Sequence, residues 1–442
     1  MNERFITANR IWQDPPTPIV TTERFKVEWR HKWDIDNQTS FIGQYYKLSD
    51  NVILPEYFKR ENDEDPNPQT YFILTKVLRN GTLSLSAEPR VNQFVSDVEV
   101  LPGLKYTLPS MEIFDTNFYL ENNSSIEQLF LQGASPNPNT KRTFRVHSDN
   151  TLSYPTKVGF IEARPFAGFR STYYSRTLVD SNQDIFRGQF RTGMDLSTKF
   201  FRIYEFSTDA FGLDVNRLRH VITPSVAYEY DSTPTYESSK LVQFDSVDAF
   251  QRQHFINLQL ENKLQTKRKD ENVDLVRFIL GTKYLLKEDP GKTGFDAVTS
   301  NLEITPFSWA SFLFDANYDL VNERLSTANF DFYLHDENYR WYLKLGKRYN
   351  VDVDDQLTYE VGYRINQKWR LLLYHRYDLD SGHMKEQEYR VRRDLHSWTV
   401  DLAFNSTRAD SDQLLIVFNL KAFPDIGFDT STRTKDRKIR NN

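Results

Sequence analysis

In the C-terminal part of the chain, apolar and polar side chains alternate with a period of two, which predicts strands with one wet and one dry face. Over residues 312–320, Phe312, Phe314, Ala316, Tyr318 and Leu320 point one way, and Leu313, Asp315, Asn317 and Asp319 the other. Ala328, Phe330, Phe332 and Leu334 likewise oppose Asn329, Asp331, Tyr333 and His335. The same holds for Tyr339, Trp341, Leu343 and Leu345, for Tyr359, Val361, Tyr363 and Ile365, and for Trp398, Val400, Leu402 and Phe404. Between these runs lie polar connectors such as Asp336-Glu337-Asn338, Asn366-Gln367-Lys368 and Asp380-Ser381-Gly382. Connections this short make antiparallel hairpins, because a parallel crossover needs a dozen residues or more. The first half is less regular, with strands expected at 25–35, 39–46, 70–79, 82–90, 143–154, 158–174 and 185–204. Longer polar stretches at 60–69 and 232–246 separate some of them, so short and long connections alternate. No helical periodicity of useful length and no fixed-period repeat is present. At about 20 residues per strand and connection, the chain predicts an all-β, antiparallel sheet of roughly 20 strands, in the range of large outer-membrane barrels.

Composition sharpens this picture. The 442 residues have a mean hydropathy of −0.63 and no run near the length of a membrane helix, yet 14% are aromatic, with 33 Phe, 24 Tyr and 7 Trp. A transmembrane barrel reconciles these values, since only alternate residues face lipid. Tyr339, Tyr349, Trp369, Tyr377 and Trp398 fall at strand ends, where an interfacial aromatic girdle would lie. A generic porin or receptor barrel would show the same pattern, and a soluble β protein, for instance a carbohydrate binder, would also alternate, so periodicity leaves these readings open. The net charge of −5 and pI of about 6.0 give no reason to expect a nucleic-acid partner. The chain lacks cysteine, which excludes disulfides and thiolate chemistry.

No nucleotide-binding or hydrolase motif occurs and the eight histidines are scattered singly, so neither catalysis nor a cofactor is expected. The acidic stretches at 62–65 and 352–355 read as solvated loop tips rather than cation sites. On the polar parity of their strands lie Arg187, Arg191, Arg340, Lys344, Arg364 and Arg370, candidates to line a wet lumen.

Several segments resemble the LptD, or organic-solvent-tolerance, family. They are Gln69-Thr-Tyr-Phe-Ile-Leu-Thr-Lys76, Glu88-Pro-Arg-Val-Asn-Gln-Phe94 with Val98-Glu-Val-Leu-Pro102, Leu218-Arg-His-Val-Ile-Thr-Pro-Ser-Val-Ala-Tyr228, Tyr389-Arg-Val-Arg-Arg-Asp-Leu-His-Ser-Trp398 and Leu420-Lys-Ala-Phe423. They run in the family's order. The resemblance implies a Gram-negative outer-membrane barrel that inserts lipopolysaccharide into the outer leaflet through a lateral gate. It further implies an LptE-like plug lipoprotein as partner, and an LptA-like periplasmic bridge reached only through an N-terminal domain outside this sequence. In that frame residues 1–21 are a lead-in, 22–423 the barrel and 424–442 a polar basic tail, and the start is expected to be a truncation. The last strand would carry Leu414, Ile416, Phe418, Leu420 and Phe423 as one lip of the gate. The six cationic residues would meet the phosphates of the lipid head group, since guanidinium and phosphate pair well. Arg90, Arg219 and Arg393, beside the motifs, are expected to anchor loops. Ser397 stands where the family carries a cysteine, so disulfide-controlled maturation cannot act through that position.

Overall fold

The computed structural model describes residues 23–58, 61–62, 65–134, 140–178, 183–268, 271–288, 292–407 and 412–433. Strands dominate it, and the helices among the described residues are only a turn or so long: α1 (Ile53–Tyr57) and α2 (Ser246–Ala249). The strands are β1 (Lys26–Asp34), β2 (Thr39–Leu48), β3 (Tyr71–Val77), β4 (Thr82–Glu88), β5 (Asp97–Glu112), β6 (Tyr119–Gln132), β7 (Thr140–Ser153), β8 (Thr156–Val158), β9 (Ile161–Tyr174), β10 (Ile185–Ser197), β11 (Phe200–Thr208) and β12 (Val215–Asp231). There follow β13 (Gln253–Arg268), β14 (Glu271–Glu288), β15 (Lys292–Phe307), β16 (Ala310–Asp319), β17 (Arg324–His335), β18 (Trp341–Asn350), β19 (Asp354–Arg364), β20 (Trp369–Asp378), β21 (His383–Asp394), β22 (Trp398–Thr407), β23 (Gln413–Leu420) and β24 (Phe423–Arg433).

Successive strands ladder antiparallel, as the short connectors require. β7 and β8 are collinear segments, both lying against β9. The strand expected at 185–204 is interrupted at Thr198-Lys199: in the first unit Ser232 N–H donates to Phe190 O at 2.8 Å, and in the second Phe200 lies opposite Ile222.

The chain divides into two compact units. In the first (Met1–Leu196, Ala227–Ile256 and Leu286–Lys292), short connections at 35–38, 78–81 and 159–160 alternate with long ones at 49–70, 89–96, 175–184 and 232–252. β5 and β6 had no counterpart among the expected strands. The Asn122-Asn123-Ser124-Ser125 run of β6 hides its alternation, yet it is satisfied across the sheet. Asn122 donates to Asn150 Oδ1 at 2.7 Å, and Ser124 and Ser148 share a hydrogen bond of 2.9 Å. Arg90 and Asn92, in the resembling motif, tie the 89–96 connection down. Arg90 donates to Gly133 O at 2.8 Å, while Asn92 accepts Leu48 N–H at 2.9 Å and returns a bond to Tyr46 O.

The second unit (Ser197–Val226, Asn257–Leu285 and Thr293–Asn442) is a run of tight hairpins. An Asx side chain at the start of several of these turns explains their sharpness. Asp319 accepts the N–H groups of Val321 and Asn322, Asn366 those of Lys368 and Trp369, and Asp378 those of Asp380 and Ser381. Asp36 makes the same turn between β1 and β2 in the first unit. Gly382, at φ +67°, closes the 379–382 turn in a conformation that favours glycine.

Register then sorts the side chains. On one face Phe312 meets Phe332, Phe314 meets Phe330, Leu343 meets Val361, Leu373 meets Tyr389, Val391 meets Leu402 and Phe404 meets Leu414. Each such pair adds about 0.2–1 kcal/mol over alanine. Exposure separates the two faces: Leu402 and Phe404 are 45% and 38% accessible, while Asp401, Ala403 and Asn405 between and beside them are 2–4%. The apolar parity expected for Trp398, Val400, Leu402 and Phe404 is the one observed. Trp341, Tyr363, Trp369 and Trp398 mark one end of the apolar face, and Tyr349 and Tyr377 the other. From Trp369 to Tyr377 is about 27 Å along the strand, or about 20 Å once tilted by ~40° as in membrane barrels. Tyr339 departs from the expected girdle. It sits in the 336–340 turn at φ +51° and stacks on His335 at 4.1 Å.

The expected last strand is not the last. β24 continues the sheet through residues assigned to a polar tail, with Val417 opposite Asp429 and Leu415 opposite Ser431. Thr and Ser there suit a strand, and a ladder needs no apolar alternation once its backbone groups are paired. Residues 434–442 lie outside the described residues, as does the 1–21 lead-in.

Candidate functional site

In the first unit the alternation of β6, β7, β9, β10 and β12 gathers charge on one face, and the 232–252 connection folds over it. Arg145 on β7 is 1% exposed and bonds Glu127 of β6 at 2.7 Å, Asp245 at 2.8 Å and Asp248 at 2.9 Å. Asp248 also accepts the Tyr174 hydroxyl at 2.8 Å and the Phe244 N–H at 2.8 Å. Asp245 and Asp248 form a reciprocal capping box on α2, which explains how one turn of helix holds. Arg187, one of the expected lumen residues, is fully buried. It donates to the carbonyls of Tyr236 (2.9 Å), Asp248 (3.1 Å) and Phe250, and its guanidinium lies 3.7 Å from the Phe250 ring centre. Gln189 adds bonds to Ser232 O and Gln251 O at 2.9 and 2.8 Å. These contacts fasten the connection onto the sheet. Arg187 thus serves as an anchor, with its donors committed to backbone rather than presented to a ligand.

Arg191, four residues on along the same face, pairs with Asp231 (3.3 Å), Glu229 (3.2 Å) and Asp149 (3.5 Å). Sequence reading placed Arg187 and Arg191 on the polar parity but missed Arg145, Tyr174, Asp245 and Asp248. The Arg145, His147, Asp149 alternation and the Asp-Ser-Val-Asp capping pattern were the available signals.

In the second unit the face opposite the aromatic pairs carries Lys344, Arg348, Arg364, Arg370, Arg376, Arg390 and Arg392 among acids. Lys344 bonds Glu360 at 3.1 Å, and Glu360 also accepts the Tyr342 hydroxyl at 2.7 Å. Arg348 grips both oxygens of Asp331 at 2.7 and 2.8 Å. Arg376 pairs with Glu386 at 3.2 Å, Arg390 with Glu388 at 2.8 Å, and Arg392 with both oxygens of Asp401 at 2.6 Å. Arg340 is at the 336–340 turn, largely exposed, and holds Asp336, whose carboxyl its hydrogen bond lowers below the usual range. Arg364 donates to Asn338 O at 2.7 Å, and Arg370 is its direct cross-strand neighbour. Of the six expected residues, then, Arg187 and Arg191 share one surface, and Arg340, Lys344, Arg364 and Arg370 share another.

The motif arginines act locally. Arg219 lies over Phe201 at 4.8 Å, and Arg393 over Trp369 at 4.9 Å on the apolar face. The acids of the 352–355 stretch are ion-paired: Asp352 with Arg324 at 2.7 Å, Asp354 with Lys385 at 3.1 Å and Asp355 with Lys347 at 2.8 Å. Asp63 and Glu64 of the other stretch lie outside the described residues.

Leu414, Ile416, Phe418 and Leu420 do share the apolar parity. They belong to β23, however, which is laddered to β22 on one side and β24 on the other. Phe423 opens β24, paired with Leu420. The strand expected to form a lip of the gate is an interior strand, because the following segment extends the sheet.

Among solved structures the chain is similar to the FrpB iron transporter from Neisseria meningitidis (10% identity, 83% of this chain and 76% of that one, TM-score 0.36). It is similar also to the copper transporter OprC (9%, 83% and 71%, TM-score 0.33) and to a chain of the FpvAI–pyocin S2 complex (9%, 89% and 66%, TM-score 0.30). Identities and scores this low say nothing about cargo. No curated protein sequence matches. The family model described as LptD protein matches residues 114–335, half of the chain, spanning the latched connection and the first of the tight hairpins. With an all-β antiparallel fold whose strands alternate an apolar and a charged face, the chain belongs to the LptD family.

Proposed function

We propose that this protein resides in the outer membrane and carries lipopolysaccharide to the outer leaflet. The acyl chains would leave sideways between two strands while the sugar and phosphate groups pass along the charged face. Family membership over 114–335 is the observation that carries the reading. The strand alternation supports it: residues such as Leu402 and Leu414 suit hydrocarbon, and ion-paired side chains on the opposite face suit a wet lumen. An LptE-like lipoprotein is the partner expected to fill part of that lumen. β23, paired on both edges, is not offered as the exit seam.

Depletion of the protein in its own cells tests the proposal. Newly made lipopolysaccharide should then accumulate inside the outer membrane while other barrels still assemble. Normal surface lipopolysaccharide after complete depletion would sink it, and recovery of the protein in the soluble fraction would point to the carbohydrate-binding alternative.

A further inference from the structure

On the charged face of the second unit, cations and acids pair almost one for one. Lys344, Arg348, Arg376, Arg390 and Arg392 each have a carboxylate within 3.2 Å. Arg364 and Arg370 break the pattern. They are directly opposite one another in the β19–β20 ladder, and Arg370 is directly opposite Arg392 in the β20–β21 ladder. Arg364 has a carbonyl partner, Asn338 O, and among the described residues no carboxylate is paired with either residue. The one acid nearby in that row, Asp401, is already gripped by Arg392. Like charges directly opposite in a sheet are unfavourable unless something neutralises them. Two fork-shaped donors side by side, facing a wet surface, match the tetrahedral oxygens of a phosphate group.

We infer that Arg364 and Arg370 form a phosphate-binding step on the charged face of β19 and β20, taking a phosphate ester of the transported glycolipid. The inference rests on the transport reading for the identity of the lipid, whereas the anion chemistry rests on the register alone. Arg392, held by Asp401, borders the step and adds field without leaving its partner.

The test uses the purified full chain in detergent and three probes: lipopolysaccharide with its phosphates, the same lipid after enzymatic dephosphorylation, and inorganic pyrophosphate. Wild type should bind the phosphorylated lipid at least tenfold more tightly than the dephosphorylated one. Arg364→Gln with Arg370→Gln should abolish that preference, Arg370→Lys should keep part of it, and Arg324→Gln, ion-paired with Asp352 beside a hairpin turn, should leave it intact. Heat-resistant electrophoretic mobility checks that each variant is folded. Equal binding of both lipids by wild type, or an undiminished preference in the folded double variant, overturns the site. If neither lipid binds but pyrophosphate binds in an Arg370-dependent way, the anion site stands and the lipid reading fails.

Discussion

At the scale of single residues, neighbours in sequence have opposite fates. Leu402 is 45% exposed on the apolar face, and Asp401 beside it is 3% exposed and bound at both oxygens by Arg392. Leu402→Arg should cost about 2–4 kcal/mol if the position lies near mid-membrane. Sequence alone suggests that Asp401→Asn is mild. The bidentate pair says otherwise, since charged hydrogen bonds are worth about 1.5–3 kcal/mol. Refolding midpoints in urea should fall for both variants, and an unchanged midpoint for Asp401→Asn would contradict the pairing. Gly362 makes a different demand: a Cβ there would meet the Tyr342 ring at 2.0 Å. Tyr342 lies across that gap to reach Glu360. Gly362→Ala should therefore destabilise by about 1–3 kcal/mol through overpacking, and Gly362→Ala with Tyr342→Ala should recover part of the loss.

At the scale of elements, the hairpins from β16 to β22 were legible because one face is apolar, the other charged, and each turn starts with an Asx residue. The β5–β6 hairpin was not, because Asn122, Ser124, Ser148 and Asn150 satisfy each other where the pattern calls for apolar side chains. The latched 232–252 connection was readable only as a long polar stretch. Its hold depends on Arg145 and Arg187, which come from strands 49 to 103 residues earlier than their partners, and single-sequence patterns carry no such pairing. Removing one partner of a buried charge pair typically costs about 3–5 kcal/mol. Arg145→Met should thus free the connection and expose it to limited proteolysis between 236 and 251, with Arg187→Met adding to the effect. Wild-type resistance to cleavage in the double variant would mean that other contacts hold the segment.

For the whole molecule, the alternation, the turn chemistry and the near-absence of helix gave the fold class, and the ordered motifs gave the family. What escaped was the end of the sheet, because residues 423–433 look polar while their backbone is paired. The place proposed for the exit seam changes with it. Because the chain has no native cysteine, paired cysteines can be introduced without competition. Val400→Cys with Phe418→Cys, directly opposite across β22–β23, should cross-link without impairing lipopolysaccharide export. Loss of export on complete oxidation, restored by reductant, would return the gate to β23.

The β22–β23 ladder also sets a clock. It contains eight residue pairs, and at about 4 kcal/mol for each hydrogen bond broken in an apolar medium, parting all of them costs roughly 30 kcal/mol. A barrier of that height is crossed on the order of once in decades to millennia. Passing one lipid per second tolerates no more than about 17 kcal/mol, which corresponds to about four such bonds. Timed in this way, the proposed exit would belong to a ladder half as long as the one that holds β23.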